Sequence, residues 1–291
     1  MLFFIKVIKL RLTYKETIKR IMRESGLKFN KSLGQNFLID DGVLQQIIKH
    51  SGINKDCGVI EIGPGIGTLT AALSENAGTV AAIELDRQIA AYLEQAFAAY
   101  ANVSIIQGDA LKLDLGQIIK DDLGGLRACI VANLPYYITT PLIMKFLEDN
   151  LDIDSITVMI QKEVADRMVA PPAASDYGAL SVAVQYHCTP KIVALVPPDC
   201  FLPPPKVTSA VIHLDIKNHK KPSVRDEKKL FRVVKAAFGQ RRKTLVNALS
   251  SSFTIPKAEL ATLVGEICGN ENVRGETLGL GQFIELSERI Y

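Results

Sequence analysis

Between residues 58 and 160, short apolar runs rich in β-branched residues alternate with stretches whose apolar positions recur every three or four residues. The runs are Val59–Ile62, Thr79–Ile83, Val103–Ile106, Ala128–Ala132 and Ile156–Ile160. Near-continuous apolar character predicts strands of a parallel sheet buried on both faces. Between them, Arg87–Tyr100 sets Ile89, Ala90, Leu93, Ala96 and Phe97 on one helical face. Thr140–Glu148 does the same with Leu142, Ile143, Phe146 and Leu147. Both read as crossover helices.

Tyr177–Tyr186 reads as a further helix. Lys191–Val196 and Val207–Leu214 read as a terminal strand hairpin around the proline-heavy segment 197–205, which brings the sheet to seven strands, most of them parallel. Polar, basic Asn218–Pro222 marks a domain boundary. Beyond it the period is helical throughout, in Glu227–Phe238, Arg241–Leu249, Lys257–Cys268 and Leu280–Arg289. The expected organisation is an N-terminal segment over 1–34, an α/β domain over 35–216 and a small all-α domain over 217–291.

Charge sharpens that division. The net charge of +3 hides nine Lys/Arg against two Asp/Glu in residues 1–34 and fourteen against eight in 217–291. Residues 35–216 carry eleven against twenty-one. Basic ends suit a polyanion such as nucleic acid, and an acidic centre suits a small cation. The five cysteines are scattered, with no Cys-x-x-Cys or paired His spacing, so neither a disulfide framework nor a metal site is expected, and a reducing cytoplasm fits. Lys6, Lys9 and Arg11 interrupt the apolar opening Met1–Leu12, no cleavage site follows it, and no stretch is long enough to span a membrane.

Three features fall at successive strand ends, the edge where open α/β sheets bind ligands. Glu61-Ile62-Gly63-Pro64-Gly65-Ile66-Gly67 is a strand running into a glycine turn, which lets backbone approach a ligand closely. A dinucleotide turn would place its third glycine at 68, which is Thr68, so an NAD oxidoreductase is disfavoured. The Gly-x-Gly-x-Gly form is common in Rossmann-like class I methyltransferases, whose cofactor S-adenosylmethionine is a sulfonium cation. Glu84, closing the second strand, can accept from both hydroxyls of an adenosine ribose. Asp109, after the third, can accept from an adenine amine.

Asn133-Leu134-Pro135-Tyr136 follows the fourth strand and is the candidate catalytic segment. An adenine exocyclic amine is a poor nucleophile because its lone pair is delocalised into the ring. Acceptors aimed at its hydrogens favour the pyramidal form that attacks a methyl group. The Asn133 side-chain carbonyl and the Leu134 backbone carbonyl are the candidate acceptors, Tyr136 the stacking surface and Pro135 the stiffener. A base must leave its duplex or be unpaired to reach such a pocket, and Phe201 is the candidate for its second face. Arg241, Arg242 and Lys243 are candidate phosphate contacts.

Taken together these residues resemble the bacterial ribosomal RNA small-subunit adenine dimethyltransferase family (KsgA/RsmA) over nearly the whole chain. The resemblance rests on Lys31–Leu38, Glu61–Gly67, Asn133–Tyr137, Tyr177–Ser181, Phe201–Ser209, Gln240–Leu245 and Arg274–Leu278. It implies cofactor contacts at Asn36, Leu38 (through backbone), Gly63, Glu84 and Asp109, with Gly65 in the same turn and Asn133 bridging cofactor and target. It also implies dimethylation of two adjacent adenosines in the 3′-terminal hairpin loop of 16S rRNA, within an assembling small subunit; the chain is expected to be a monomer. The sister family that methylates 23S rRNA and confers macrolide resistance shares the Asn-x-Pro-Tyr segment, and a non-catalytic RNA-binding assembly factor would share the fold. The Phe201–Ser209 loop disfavours the first, and intact Glu84, Asp109 and Asn133 disfavour the second.

Overall fold

A computed structural model describes residues 12–27 and 35–290. Most of the basic N-terminal segment, residues 1–11 and 28–34, with the first half of the Lys31–Leu38 motif, lies outside the described residues. In chain order the elements are α1 (Lys15–Ser25), β1 (Phe37–Leu38), α2 (Asp41–Ser51), β2 (Cys57–Ile62), α3 (Thr68–Asn76), β3 (Thr79–Glu84) and α4 (Arg87–Ala96). There follow β4 (Val103–Gln107), α5 (Leu115–Asp122), β5 (Arg127–Asn133), α6 (Thr139–Glu148), β6 (Ser155–Gln161), α7 (Lys162–Val169) and α8 (Ala179–His187). The chain closes with β7 (Thr189–Val196), β8 (Phe201–Leu202), β9 (Ser209–Asp215), α9 (Glu227–Gly239), α10 (Leu245–Ser250), α11 (Lys257–Cys268) and α12 (Leu280–Arg289).

Two compact units form, one of residues up to Ala165 with Lys191–Asn218, the other of Asp166–Pro190 with His219 onward. In the first, seven strands run in the order β4-β3-β2-β5-β6-β9-β7. The five strands β2 to β6 pair in parallel, and β9 lies antiparallel to β6. All six residues of β2 are buried, Glu61 among otherwise apolar or small neighbours. The chain walks outward from β2 to β4 and then returns to β5 on the other side of β2. The crevice at that reversal is where an open α/β sheet receives a ligand.

Helices cover both faces of the sheet. Asp40, Asp86 and Asp114 each cap a helix with a side-chain oxygen, accepting from Val43, from Gln88 and Ile89, and from Gln117. Leu44 and Ile47 of α2 pack with Val59, Leu73 and Val131 in one core cluster. Ile18, Ile21 and Met22 of α1 pack with Ile66, Leu93 and Phe97 in another. The helix α1 therefore buttresses the turn after β2 from behind.

The second unit is helical. Leu230, Val233, Leu249, Leu260 and Phe283 build its core together with Tyr177, Val182 and Tyr186. A contiguous cut at residue 217 misses this, because Asp166–Pro190 packs with the C-terminal helices rather than with the sheet. One bond ties it there, the Tyr177 hydroxyl donating to Leu278 O at 2.8 Å, while Ser181 Oγ donates to Arg167 O within the segment itself. The helix expected over Arg241–Leu249 begins only at Leu245. Thr244 is extended (φ −63°, ψ 154°), and the Leu245 N–H donates to Val273 O, so Arg241–Thr244 form a turn.

Candidate active site

The turn after β2 has a conformation that only glycine tolerates. Gly65 has φ +57°, and a Cβ there would lie 2.9 Å from the Phe37 ring. Gly67 has φ +90°, and a Cβ there would lie 2.6 Å from the Phe97 ring. The turn is also held from the neighbouring strand, since the Gly63 N–H donates to Ile83 O at 2.9 Å. Bare backbone is thus presented to the crevice.

Glu84 ends β3, 6% exposed, with Oε1 accepting the Asp86 N–H at 2.9 Å. Burial raises its pKa above the ordinary carboxylate value, and backbone N–H groups of Asp86, Gly65 and Leu85 partly offset this. Asp109 sits beyond β4, with Oδ1 accepting the Leu111 N–H at 3.0 Å and Oδ2 3.5 Å from Lys112 Nζ. Glu61 lies on β2 itself. It is 1% exposed, its Oε2 has no hydrogen-bond partner, and burial pushes its pKa up to about 8, with the Thr70 hydroxyl opposing and the Glu84 charge adding to the rise.

Asn133 closes β5 opposite Met159, and the Leu134 N–H donates to Met159 O at 3.1 Å, so the sheet holds the segment at its root. Pro135 then starts a one-turn 3₁₀ helix, Tyr136–Ile138, locked by the Ile138 N–H and the Thr139 hydroxyl, both donating to Pro135 O. The Asn133 side-chain N–H donates to Asn36 O at 3.2 Å. That bond fixes the amide orientation and leaves Oδ1 as an acceptor. Tyr136 is half-buried, its hydroxyl 2.5 Å from Ser209 Oγ on β9.

Asn36, Leu38, Gly63, Gly65, Glu84, Asp109, Asn133, Leu134, Pro135 and Tyr136 all line one cleft of about 1050 Å³, counting the space open to solvent at its mouth. Among the described residues the lining contains three carboxylates, Glu61, Glu84 and Asp109, and no Lys, Arg or His. Sequence reasoning missed Leu85 and Tyr137, which also line it. Leu85 directly follows Glu84, and Tyr137 directly follows the Asn133–Tyr136 segment, so adjacency to a candidate residue is the signal the sequence offers for each.

Phe201 is a correction. It is 2% exposed and packs in the core with Leu38, Leu44 and Val211, away from the cleft lining. Its strand β8 pairs antiparallel with β1, Leu38 opposite Phe201. Its structural effect is therefore to hold the Asn36–Leu38 wall of the site. Arg241, Arg242 and Lys243 lie in the second unit and differ among themselves. The Arg241 guanidinium donates to Ser175 O and Tyr177 O and sits 3.6 Å from Glu276. Arg242 and Lys243 are exposed, with no ion pair or side-chain hydrogen bond among the described residues. The described residues contain no His/Cys/Asp/Glu group that could hold a metal ion and no helix long and apolar enough to cross a membrane. All five cysteines are free thiols.

Known proteins of this form carry the same architecture. Similarity to the small-subunit ribosomal RNA methyltransferase A of Alkaliphilus oremlandii is 47% identity over 96% of this chain and 98% of that protein. Its counterpart in Lachnoclostridium phytofermentans is 50% identical over 95% and 96%. Among solved structures, a dimethyladenosine transferase from Plasmodium falciparum superposes with a TM-score of 0.72 at 26% identity, covering 86% of this chain and 95% of that one. The 23S rRNA methyltransferase ErmE superposes at 0.67, covering 88% and 99%, and at 23% identity it shows a shared fold alone. The sequence profile of ribosomal RNA adenine dimethylases matches residues 26–290, and with these relatives it establishes that the chain belongs to the ribosomal RNA adenine dimethylase family.

Proposed function

We propose that this protein transfers methyl groups from S-adenosylmethionine to the exocyclic amines of two adjacent adenosines in the 3′-terminal hairpin loop of 16S rRNA. It would act as a cytoplasmic monomer during small-subunit assembly. The observation that carries the chemistry is the Asn133 side chain, whose donor end is committed to Asn36 O and whose carbonyl is left to accept from an amine. The 16S target is supported by the small-subunit relatives.

The cleft fits that cofactor. Three carboxylates, with no basic side chain among the described lining residues, suit a cation and oppose a dinucleotide, whose pyrophosphate would bring negative charge among them. The buried, unpartnered Glu61 Oε2 gains most from a nearby positive charge. Backbone at Gly63 and Gly65 admits close approach, Glu84 can accept from ribose hydroxyls, and Asp109 can accept from the adenine amine. When bound, S-adenosylmethionine supplies an electrophilic methyl group on sulfur.

The protein's own contribution is placement. Asn133 Oδ1 and the Leu134 carbonyl hold the target amine hydrogens and favour its pyramidal form, while the Tyr136 ring supports the base. No covalent intermediate is required, and the methylated amine releases its proton to solvent. In calorimetry the wild type should bind S-adenosylmethionine and show no heat with NAD; the reverse would sink the cofactor assignment.

In the second unit, Arg242 and Lys243 are the phosphate contacts we propose, while Arg241 acts by tying Tyr177 and Glu276 together. Replacing Arg242 and Lys243 with Gln should reduce the slope of log K against log salt by about 2, with folding unchanged. An unaltered slope removes both from the interface.

A further inference from the structure

Five large apolar side chains are exposed among the described residues, and two of them, Leu85 at 43% and Tyr137 at 51%, stand at the same cleft. Single exposed apolar residues are ordinary, but two lining one ligand cleft mark surface that the ligand covers.

The two tyrosines of the 3₁₀ turn diverge. Tyr136 is tied through its hydroxyl to Ser209 on β9. The Tyr137 hydroxyl has no hydrogen bond among the described residues. Tyr137 lines the same cleft as Asp109 and Glu84, whose charges add to burial in raising its pKa. The backbone beneath it is rigid, because two donors converge on Pro135 O. Tyr137 is therefore an aromatic ring on a fixed backbone turn, lining one cleft with the two carboxylates and the exposed Leu85.

We propose that Tyr137 is a positioning residue that covers the adenosine end of the bound cofactor and sets how fast spent cofactor leaves. This rests on the reading of the cleft as an S-adenosylmethionine site. Dimethylation of two adenosines takes four transfers, and each consumes one cofactor molecule. Exchange must then occur between transfers, and a ring covering the nucleoside sets its rate.

The test is S-adenosylhomocysteine binding, measured by calorimetry and by stopped-flow displacement, on wild type, Tyr137→Phe, Tyr137→Ala and Glu84→Ala. Stacking is what the ring supplies, so Tyr137→Phe should stay within twofold. Tyr137→Ala should release the ligand about tenfold faster, with RNA affinity unchanged. Because the chain has no tryptophan, Tyr137→Trp places a single reporter at the lip, and its emission should change on ligand addition.

The proposal is overturned if Tyr137→Ala keeps wild-type release while Glu84→Ala loses affinity. It is equally overturned if Tyr137→Ala weakens only RNA binding, or if the tryptophan emission ignores the ligand. Failure of the wild type to bind the ligand at all would instead overturn the cofactor reading beneath it.

Discussion

Asn133→Ala lowers kcat for methyl transfer by about 10²–10³ or more, the cost of losing one preorganised polar group at a reacting centre, while cofactor affinity stays within a few-fold. The physical reason lies in the division of labour within one amide. Its N–H end is spent on Asn36 O, so the carbonyl cannot rotate away, and the acceptor is in place before the base arrives. Removing it leaves the glycine turn, Glu84 and Asp109 untouched, which is why binding survives. Asn133→Asp keeps an oxygen acceptor but loses the donor that orients it, and puts a carboxylate against a carbonyl oxygen. It should fall between wild type and Ala. Equal losses in cofactor affinity and kcat for Ala would assign Asn133 to binding rather than to the transfer step. Near-normal turnover would remove the amine-holding role altogether.

Glu61→Gln stabilises the ligand-free protein at pH 8 by a few kcal/mol, an advantage that shrinks steadily towards pH 5. Glu61 has an ordinary value of 4.5 in the unfolded chain and about 8 in the fold, where burial penalises its charged form. Below pH 4.5 both states hold the proton and no penalty exists. Between 4.5 and 8 the unfolded chain releases it first, so folding stability falls as pH rises. Above 8 the full penalty applies. At about 1.4 kcal/mol per pH unit of separation the upper bound is about 5 kcal/mol, and relaxation around the site lowers it. Denaturant melts of both proteins across this range supply the check, and parallel curves would mean that Glu61 is not the buried acid described. Carrying a destabilising carboxylate at the floor of the cleft makes sense if a cation compensates it on binding.

How much of this was legible in the chain depends on the range of the interaction involved. β2, β3, β5 and β6 were visible because strands buried on both faces are largely apolar, the half-buried edge strand β4 because its run is β-branched, and the ends of these strands carry Gly63, Glu84, Asp109 and Asn133 by chain order alone. The helices α2 and α5 were passed over although Asp40 and Asp114 cap them, since each buries only two apolar side chains, Leu44 and Ile47 in one and Leu115 and Ile118 in the other, which gives a weak period. Long-range pairings were invisible. Phe201 looked available in a proline-rich loop because nothing local shows that β8 pairs with β1 and turns the ring into the core. Arg241 looked like Arg242 for the same reason, as its carbonyl partners lie far back in the chain. Asp166–Pro190 reads as part of the α/β domain until Tyr177 is seen to donate to Leu278 O. Tyr137 was passed over because the direction of a ring within a 3₁₀ turn is not a property of sequence.

Under the proposed function, adenine amines of the small-subunit RNA receive the methyl groups. Unmethylated small and large subunits, each supplied separately with methyl-labelled S-adenosylmethionine and this protein, test it most directly. Label should appear on two adjacent adenosines of the 3′-terminal hairpin loop of 16S rRNA and be absent from the large subunit, and it should vanish with Asn133→Ala. Label on 23S rRNA, or no label on either subunit, would contradict it.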